Sequence, residues 1–360
     1  MFLKISMSPT DLKLTHRRHA KFFQRTLAVL PSSLSSFDTQ RVTVAYFAIS
    51  GLDLLDSLDL VENDKAGMVA WLYRCLISPS VGHDDEADQE VLAKCGFRGS
   101  PALKLSSDSL PSHPYDHGHI AMTYTALASL LVLGDDLSKL NRKAVIAGVR
   151  SLQLPDGSYK AALEGGENDM RFLYCAACIC SMLGNWDGMN TETAVHYVME
   201  SISYDGGIGQ GPGLESHGGS TYCAVAALVL MGRLEDLGAV RLDRLARWCI
   251  FRQAQGSGFM GRPHKPEDTC YSFWVGATLS LLGKLEMCDK ESSRQFVLST
   301  QDPVTGGLAK WPDTQTDPLH TYLGLSGLGI QGEDGVLEVD PALNISKRTK
   351  QWLEKIQQTW

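Results

Sequence analysis

Two kinds of segment alternate along the chain. The first kind includes HGHIAMTYTALASL, ENDMRFLYCAACIC, SHGGSTYCAVAALV, EDTCYSFWVGATLS and DPLHTYLGLSGLGI, each running on in small and aliphatic residues at helical spacing with almost no charge. The second includes VIAGVRSLQ, HYVMESIS, LARWCIFRQ and RQFVLSTQ, polar on one face and apolar on the other. A helix apolar on most sides belongs inside a fold, whereas an amphipathic helix covers it. Aligning the first kind on Tyr124, Tyr174, Tyr222, Phe273 and Tyr322 gives spacings of 50, 48, 51 and 49, so the chain is a two-helix repeat. Glycine turns precede three inner helices at Gly207-Ile208, Gly258-Phe259 and Gly307-Leu308, and Ser158-Tyr159 fills that place in another repeat. TVAYFAISGLDLL and GMVAWLYRCL, with the turn Cys95-Gly96-Phe97, supply an earlier unit at looser spacing. The pattern predicts an all-α fold of about six helix pairs, compatible with an open solenoid or a closed ring. A separate N-terminal helix is expected over about 8–30, with Ser8 as cap and Pro9 in its first turn, and the repeats over about 40–335. Nothing resembles an interdomain linker, so residues 1–360 are read as a single domain.

Composition narrows the function classes. Hydrophobic residues make up 44% and charged residues 21%, as in a globular chain with a sizeable core. The net charge of -8 argues against nucleic acid as a partner while leaving room for a small cationic pocket. The longest apolar stretches, Phe172 to Leu183 and Tyr222 to Met231, fall short of the roughly 18 to 20 residues that span a bilayer. MFLKISMSPTDLK has too short an apolar run for a signal peptide, and IQQTW carries no prenylation signal. Nine scattered cysteines suit reduced core thiols, and the expected compartment is cytoplasmic. Among them Cys175, Cys178 and Cys180 lie within an apolar helix and are read as packing.

A polar column carries the candidate chemistry. Five positions before each aligned aromatic stand His119, Asp169, His217, Asp268 and Asp317. Helix capping accounts for an aspartate at such a position. Histidine is a poor cap, so His119 and His217 call for another role. Side-by-side helices would place the whole column at one mouth of the stack. There Asp268, Cys270 and His320 offer a carboxylate, a thiolate and an imidazole from neighbouring repeats, three zinc ligands with a fourth position open. The preceding loop, GSGFMGRPHKPEDTCY, presents Arg262 and Lys265 between glycine and proline beside His217 and Tyr271, a set suited to a diphosphate.

The segments SGLDLLDSLD, CGFRGS, HPYDHGHIAMTYTAL, GLESHGGSTYC and GRPHKPEDTCYSFWVGATL resemble the beta subunits of protein prenyltransferases, from about Phe22 to NISKRT, with the nearest likeness to the type I geranylgeranyl branch. The resemblance implies an alpha-alpha barrel of six inner and six outer helices, active only with an alpha subunit wrapped around it. It implies one zinc ion on Asp268, Cys270 and His320, and diphosphate contacts from His217, Arg262, Lys265 and Tyr271. The implied reaction moves geranylgeranyl from its diphosphate to the cysteine of C-terminal CaaX proteins such as small GTPases, X commonly Leu, through a zinc-bound thiolate. Thr43 stands where farnesyltransferases carry a Trp, leaving room for a fourth isoprene unit worth up to about 4 kcal/mol of apolar transfer. Lys310 stands where farnesyltransferases carry a magnesium-holding Asp, which implies that magnesium is not required. The likeness places Phe47 and Leu319 near the penultimate aliphatic residue of the substrate, and Thr39, His119, Ala121 and Phe172 near its last residue. Arg171 and Tyr124 complete the isoprenoid and peptide set.

Alternatives differ in chemistry. A farnesyltransferase-type subunit would keep the metal and diphosphate groups and change the lipid. Asp84-Asp85-Glu86-Ala87-Asp88 fits the D-D-x-x-D pattern of magnesium-dependent terpene synthases, but it sits in SPSVGHDDEADQE, which reads as a solvated loop, and no second motif faces it. The D-x-D-D of triterpene cyclases is absent from the sequence. A non-catalytic binding barrel would have no need of a metal vacancy beside a phosphate pocket.

Overall fold

The computed structural model describes residues 12–30, 32–79, 88–105 and 113–360. Along it run α1 (His16–Ala28), α2 (Arg41–Leu54), α3 (Lys65–Arg74), α4 (Gln89–Ala93), α5 (Ile120–Val132), α6 (Arg142–Ser151) and α7 (Met170–Leu183). They are followed by α8 (Thr191–Glu200), α9 (Gly218–Leu230), α10 (Gly238–Ile250), α11 (Tyr271–Leu281), α12 (Lys290–Ser299), α13 (Pro318–Gln331) and α14 (Lys347–Gln357). The six charge-poor helices α2, α5, α7, α9, α11 and α13 pack each against the next, and α13 returns to α2. That contact closes the ring, which periodicity alone left open. Every residue of α5 except Ala121 is buried, as expected of a helix walled in by neighbours and by an outer layer.

The outer layer is made by α1, α3, α6, α8, α10 and α12, with α1 seated against both α2 and α13. The N-terminal helix thus serves as an outer member of the ring, and it begins at His16 after the non-helical residues 12–15. Ser8 and Pro9 lie outside the described residues, as do Asp84 to Ala87 and residues 106–112 of the Ser/Pro-rich stretch. Asp88 caps α4 by accepting the Glu90 N–H. Asn141, Asn190 and Asp289 cap α6, α8 and α12 by accepting an N–H three residues on, which fixes where three outer helices start.

Outer helices hand over to inner ones through paired turns. Gln153 bridges to Tyr159, Ile202 to Ile208, Gln253 to Phe259 and Gln301 to Leu308, at the turns the sequence marks. A second hairpin then follows before three inner helices, through the bridges Lys160 to Asn168, Met260 to Glu267 and Ala309 to Thr316. These hairpins put Arg262, Lys265 and Lys310 above the inner-helix starts. The opposite end of the ring is covered by α14, whose Trp352 indole donates to Asp135 O at 3.0 Å and whose Gln357 amide donates to Ser181 O at 2.8 Å. No helix among the described residues is long and apolar enough to cross a membrane. Cys175, Cys178 and Cys180 are buried in α7, where burial pushes the Cys175 thiol up to about 12, so this trio is core.

Candidate functional site

The polar column does line one mouth, and its histidines turn out to be caps. His119 Nδ1 accepts the Ala121 N–H at 3.2 Å, and His217 Nδ1 accepts the Gly219 N–H at 3.0 Å. Asp169 accepts the Arg171 N–H at 2.8 Å and Asp317 accepts the His320 N–H at 2.9 Å. The expectation that histidine needs another explanation is corrected, because a neutral imidazole offers one ring nitrogen as acceptor and keeps the other as donor. Burial lowers the His119 pKa to about 4 and also lowers that of His217, where Arg262 adds to the effect. Both rings are therefore neutral, with the proton on Nε2, which capping leaves free to face the mouth.

Asp268 departs from the column. The α11 helix begins three residues later, at Tyr271, after a tightened turn in which the Tyr271 N–H reaches Asp268 O and the Ser272 N–H reaches Thr269 O. The Asp268 carboxylate accepts the Cys270 N–H at 3.0 Å and also faces His320, with Oδ1 3.3 Å from Nε2. One ligand atom from each of Asp268, Cys270 and His320 lies within 4.8 Å of the others, in a largely buried cluster. Lys310 Nζ stands 3.6 Å from the other Asp268 oxygen and 4.4 Å from the centre of the Trp311 ring.

The electrostatics of the cluster suit a cation. Burial pushes the Asp268 carboxyl upward, but hydrogen bonds from His320 and Cys270 outweigh it and leave the pKa lowered. Burial lowers His320, yet its bonds to Asp268 and Asp317 win and raise it to about 9. Burial, with the Asp268 charge beside it, drives the Cys270 thiol well above its usual range. A buried carboxylate, a thiol and an imidazole converging on one point form a donor set that a zinc ion satisfies.

The diphosphate candidates gather next to this cluster. Tyr271 Oη lies 2.9 Å from His217 Nε2, and since Nε2 carries the proton, the phenol accepts and keeps its own O–H to donate. The Gly218 N–H donates to Gly261 O at 2.8 Å, tying the 259–267 hairpin to the start of α9. A Cβ on Gly261 would fall 2.1 Å from Tyr271 Cζ, so only glycine lets the ring lie against the hairpin. Arg262 pairs with Glu215 at 2.7 Å, and Lys265 is exposed on the same loop. The inner helices all start here, so their positive dipole ends add to the attraction for an anion.

Of the remaining candidates, Thr43 is half-buried and donates to Met122 Sδ at 3.3 Å. Phe47 stacks on Tyr46 and Tyr322, with ring centres 5.5 and 5.8 Å away. His119 meets Phe172 edge-on at 6.1 Å, and the Arg171 guanidinium lies over Phe172 while pairing with Asp169 and Glu167. Ala121 gives its N–H to His119, Leu319 is partly exposed beside the cluster, and Thr39 lies exposed at the end of the 32–40 segment. Tyr124 is buried, its phenol donating to Leu343 O at 2.9 Å.

Three contributors escaped the sequence reading. Asp317 was seen as a cap, but its second oxygen also holds His320 Nδ1 at 2.6 Å, a contact the D-x-x-H spacing at a helix start could have signalled. Glu215, which orients Arg262, and Trp274, half-buried against Tyr222, had no distinguishing pattern.

A closed alpha-alpha ring with an Asp-Cys-His cluster able to hold a metal at one mouth defines a class, and the chain belongs to it: residues 14–345 match the family described as Prenyltransferase alpha-alpha toroid domain. Within the family, the chain is 39% identical to the geranylgeranyl transferase type-1 subunit beta of Arabidopsis thaliana, over 91% of this chain and 88% of that protein. It is 37% identical to the subunit of the same name from Dictyostelium discoideum, over 95% of this chain and 99% of that one. Among solved structures, Candida albicans protein geranylgeranyltransferase-I complexed with GGPP superposes with a TM-score of 0.84 and 25% identity, over 96% of this chain and 99% of that one.

Proposed function

We propose that this chain is the beta subunit of a cytoplasmic type I protein geranylgeranyltransferase, working as an obligate heterodimer with an alpha subunit. The observation that carries the reading is the convergence of Asp268, Cys270 and His320, with Asp317 behind the histidine, beside the cationic hairpin. The substrates are geranylgeranyl diphosphate and proteins ending Cys-aliphatic-aliphatic-X, X commonly Leu.

Asp268, Cys270 and His320 would hold one zinc ion, which would supply the Lewis acidity that lowers the pKa of an incoming thiol so that its proton is lost to water. Asp317 fixes the His320 ring so that Nε2 faces the ligand cluster. Arg262, Lys265 and the Tyr271 O–H meet charge as it accumulates on the departing diphosphate, with His217 orienting the phenol. Lys310 is a fixed ammonium at the same mouth, and it stands in for magnesium. Thr43, Phe47 and Trp274, each half-buried on an inner helix, are the side chains assigned to the prenyl chain in this reading. The peptide end is met by Phe47, Leu319, Thr39, His119, Ala121, Phe172 and Arg171.

The test is co-expression with an alpha subunit, followed by metal quantification and transfer assays. Farnesyl and geranylgeranyl diphosphates are offered with peptides ending in Leu, Ser or Met. Stoichiometric zinc and preferred geranylgeranyl transfer to the Leu peptide, without added magnesium, is the expected result. Strict magnesium dependence without zinc overturns it.

A further inference from the structure

The outer layer closes by the device that joins its other members. Gln153 grips the backbone of Asn190, the cap of α8, through both ends of its amide, at 3.0 and 2.7 Å, and Gln253 grips that of Asp289, the cap of α12, in the same way. In the last repeat Gln301 reaches the N-terminal helix instead. It accepts the Thr15 N–H at 2.8 Å and donates to Lys13 O at 3.2 Å. A Cβ on Gly306 would fall 2.2 Å from Arg18 O, so α1 sits directly on this turn.

One side chain breaks the equivalence. Four residues past the cap, α8 has Ala194 and α12 has Ser293, but α1 has His19, which is fully buried. Its Nδ1 accepts the Gly307 N–H at 3.0 Å, and Nε2, which then carries the proton, donates to Gln301 Oε1 at 3.0 Å. In two other repeats the matching N–H is satisfied inside the turn: Asp156 accepts from Ser158 at 3.0 Å, and Asp205 accepts from Gly207 at 3.1 Å. Thr305 stands where those aspartates stand, and Asp302 Oδ1 already accepts from Val304 and Thr305. The acceptor therefore comes from a helix 288 residues away in the chain. Burial lowers the His19 pKa to about 4 against the pull of Gln301, which keeps the ring neutral and Nδ1 able to accept.

This turn is the root of the hairpin that carries Lys310. Past Gly307, the Leu308 N–H donates to Thr321 Oγ1 at 2.9 Å, Thr269 Oγ1 donates to Ala309 O at 2.6 Å, and the Thr269 N–H donates to Lys310 O at 3.1 Å. The starts of α11 and α13 thus hold the hairpin from inside the ring, and His19 holds its root from outside. Without that acceptor a buried N–H is left unpaired, a costly state that a shift of the turn relieves. Lys310, three residues on, would move with it.

We propose that His19 is a positioning residue for Lys310: from the outer layer it fixes the root of the hairpin that aims the Lys310 ammonium at the departing diphosphate. The inference rests on the reading that Lys310 serves the leaving group.

The experiment uses the heterodimer with its alpha subunit, as wild type, His19→Leu, His19→Asn, Lys310→Ala and the His19→Leu, Lys310→Ala double variant. kcat and KM for geranylgeranyl diphosphate are measured with zinc content. His19→Leu is expected to lower kcat at least about tenfold, as a slightly misplaced group does, with zinc unchanged. His19→Asn, whose Oδ1 takes the place of Nδ1, is expected to restore most of the loss. In the Lys310→Ala background His19→Leu is expected to lower kcat no further, because the two act through one ammonium. A role in packing alone would lower kcat by the same factor in both backgrounds, and that result overturns the proposal, as does an equal loss in His19→Leu and His19→Asn. Should His19→Leu fail to fold, His19→Gln, which lacks an acceptor at the Nδ1 position, takes its place in the cycle. Wild-type kcat in Lys310→Ala overturns the reading of Lys310 itself and this inference with it.

Discussion

Asp317 grips His320 twice: one carboxylate oxygen accepts the backbone N–H at 2.9 Å and the other holds ring Nδ1 at 2.6 Å. A single side chain therefore starts α13 and aims the imidazole. Replacing it with Ala removes a cap worth about 1 kcal/mol and frees the ring to rotate. Zinc affinity in Asp317→Ala is expected to fall roughly 10- to 100-fold, read by competition with a chelator. Asp317→Asn keeps the cap and should recover stability but not full affinity. Wild-type affinity in the Ala variant would show that the ring is held by something else.

Zinc loading should depend on pH with a definite sign. In metal-stripped protein, His320 is raised to about 9 by its two carboxylates. Its ion pairs stabilise the fold fully below about 6.5 and are lost as pH rises through 9. Asp268 is lowered, so its contribution is present above its ordinary range and lost as pH falls. A metal needs the imidazole neutral and the sulfur ionised. Zinc affinity should accordingly climb between pH 6.5 and 9 by at least about tenfold per unit, one factor of ten for each proton released. Titrations at pH 6, 7, 8 and 9 check this, and a flat profile contradicts the protonation scheme.

Much of this site was legible before any coordinates, for a physical reason. A repeat fold puts equivalent positions at the same height, so a column of polar residues in an alignment becomes a rim in space. Asp268, Cys270 and His320 were recoverable that way. Ring closure was not, because the α13 to α2 contact joins residues nearly the whole chain apart and leaves no periodic trace. Nor was the capping role of His119 and His217, which depends on rings kept neutral by burial and on the backbone N–H that each Nδ1 accepts. The tyrosine register was visible as an alignment mark, but the carbonyls that accept from Tyr124, Tyr174, Tyr222 and Tyr322 lie in residues 341–344, beyond the last inner helix, where no repeat could signal them.

Gly261 tests the diphosphate cradle separately from the metal. A methyl group there would press on Tyr271 Cζ at 2.1 Å and push the phenol away from His217. Gly261→Ala should lower kcat/KM for the lipid diphosphate by about a hundred- to a thousandfold, as loss of one aimed donor does, with zinc content intact. Tyr271→Phe should reproduce the loss without the clash. Full activity in both would remove the phenol from the mechanism.

In the proposed reading Thr43 stands on the wall that meets the far end of the prenyl chain, which makes it the residue to change. It is half-buried on the first inner helix, its hydroxyl resting on Met122 Sδ at 3.3 Å and near Thr125 at 3.5 Å. A tryptophan in that place would fill the space that a fourth isoprene unit needs. Burying five carbons is worth up to about 4 kcal/mol at ~0.8 each, and excluding them forfeits that gain for the longer lipid alone. Thr43→Trp should therefore shift the farnesyl to geranylgeranyl ratio of kcat/KM by at least about tenfold towards farnesyl, within the limit that the transfer energy allows. The diphosphate and metal groups lie elsewhere on the mouth, so zinc content should be unchanged. Competition between the two lipids on one peptide reads the ratio directly, and identical preference before and after the substitution would mean that the cup is measured somewhere other than Thr43.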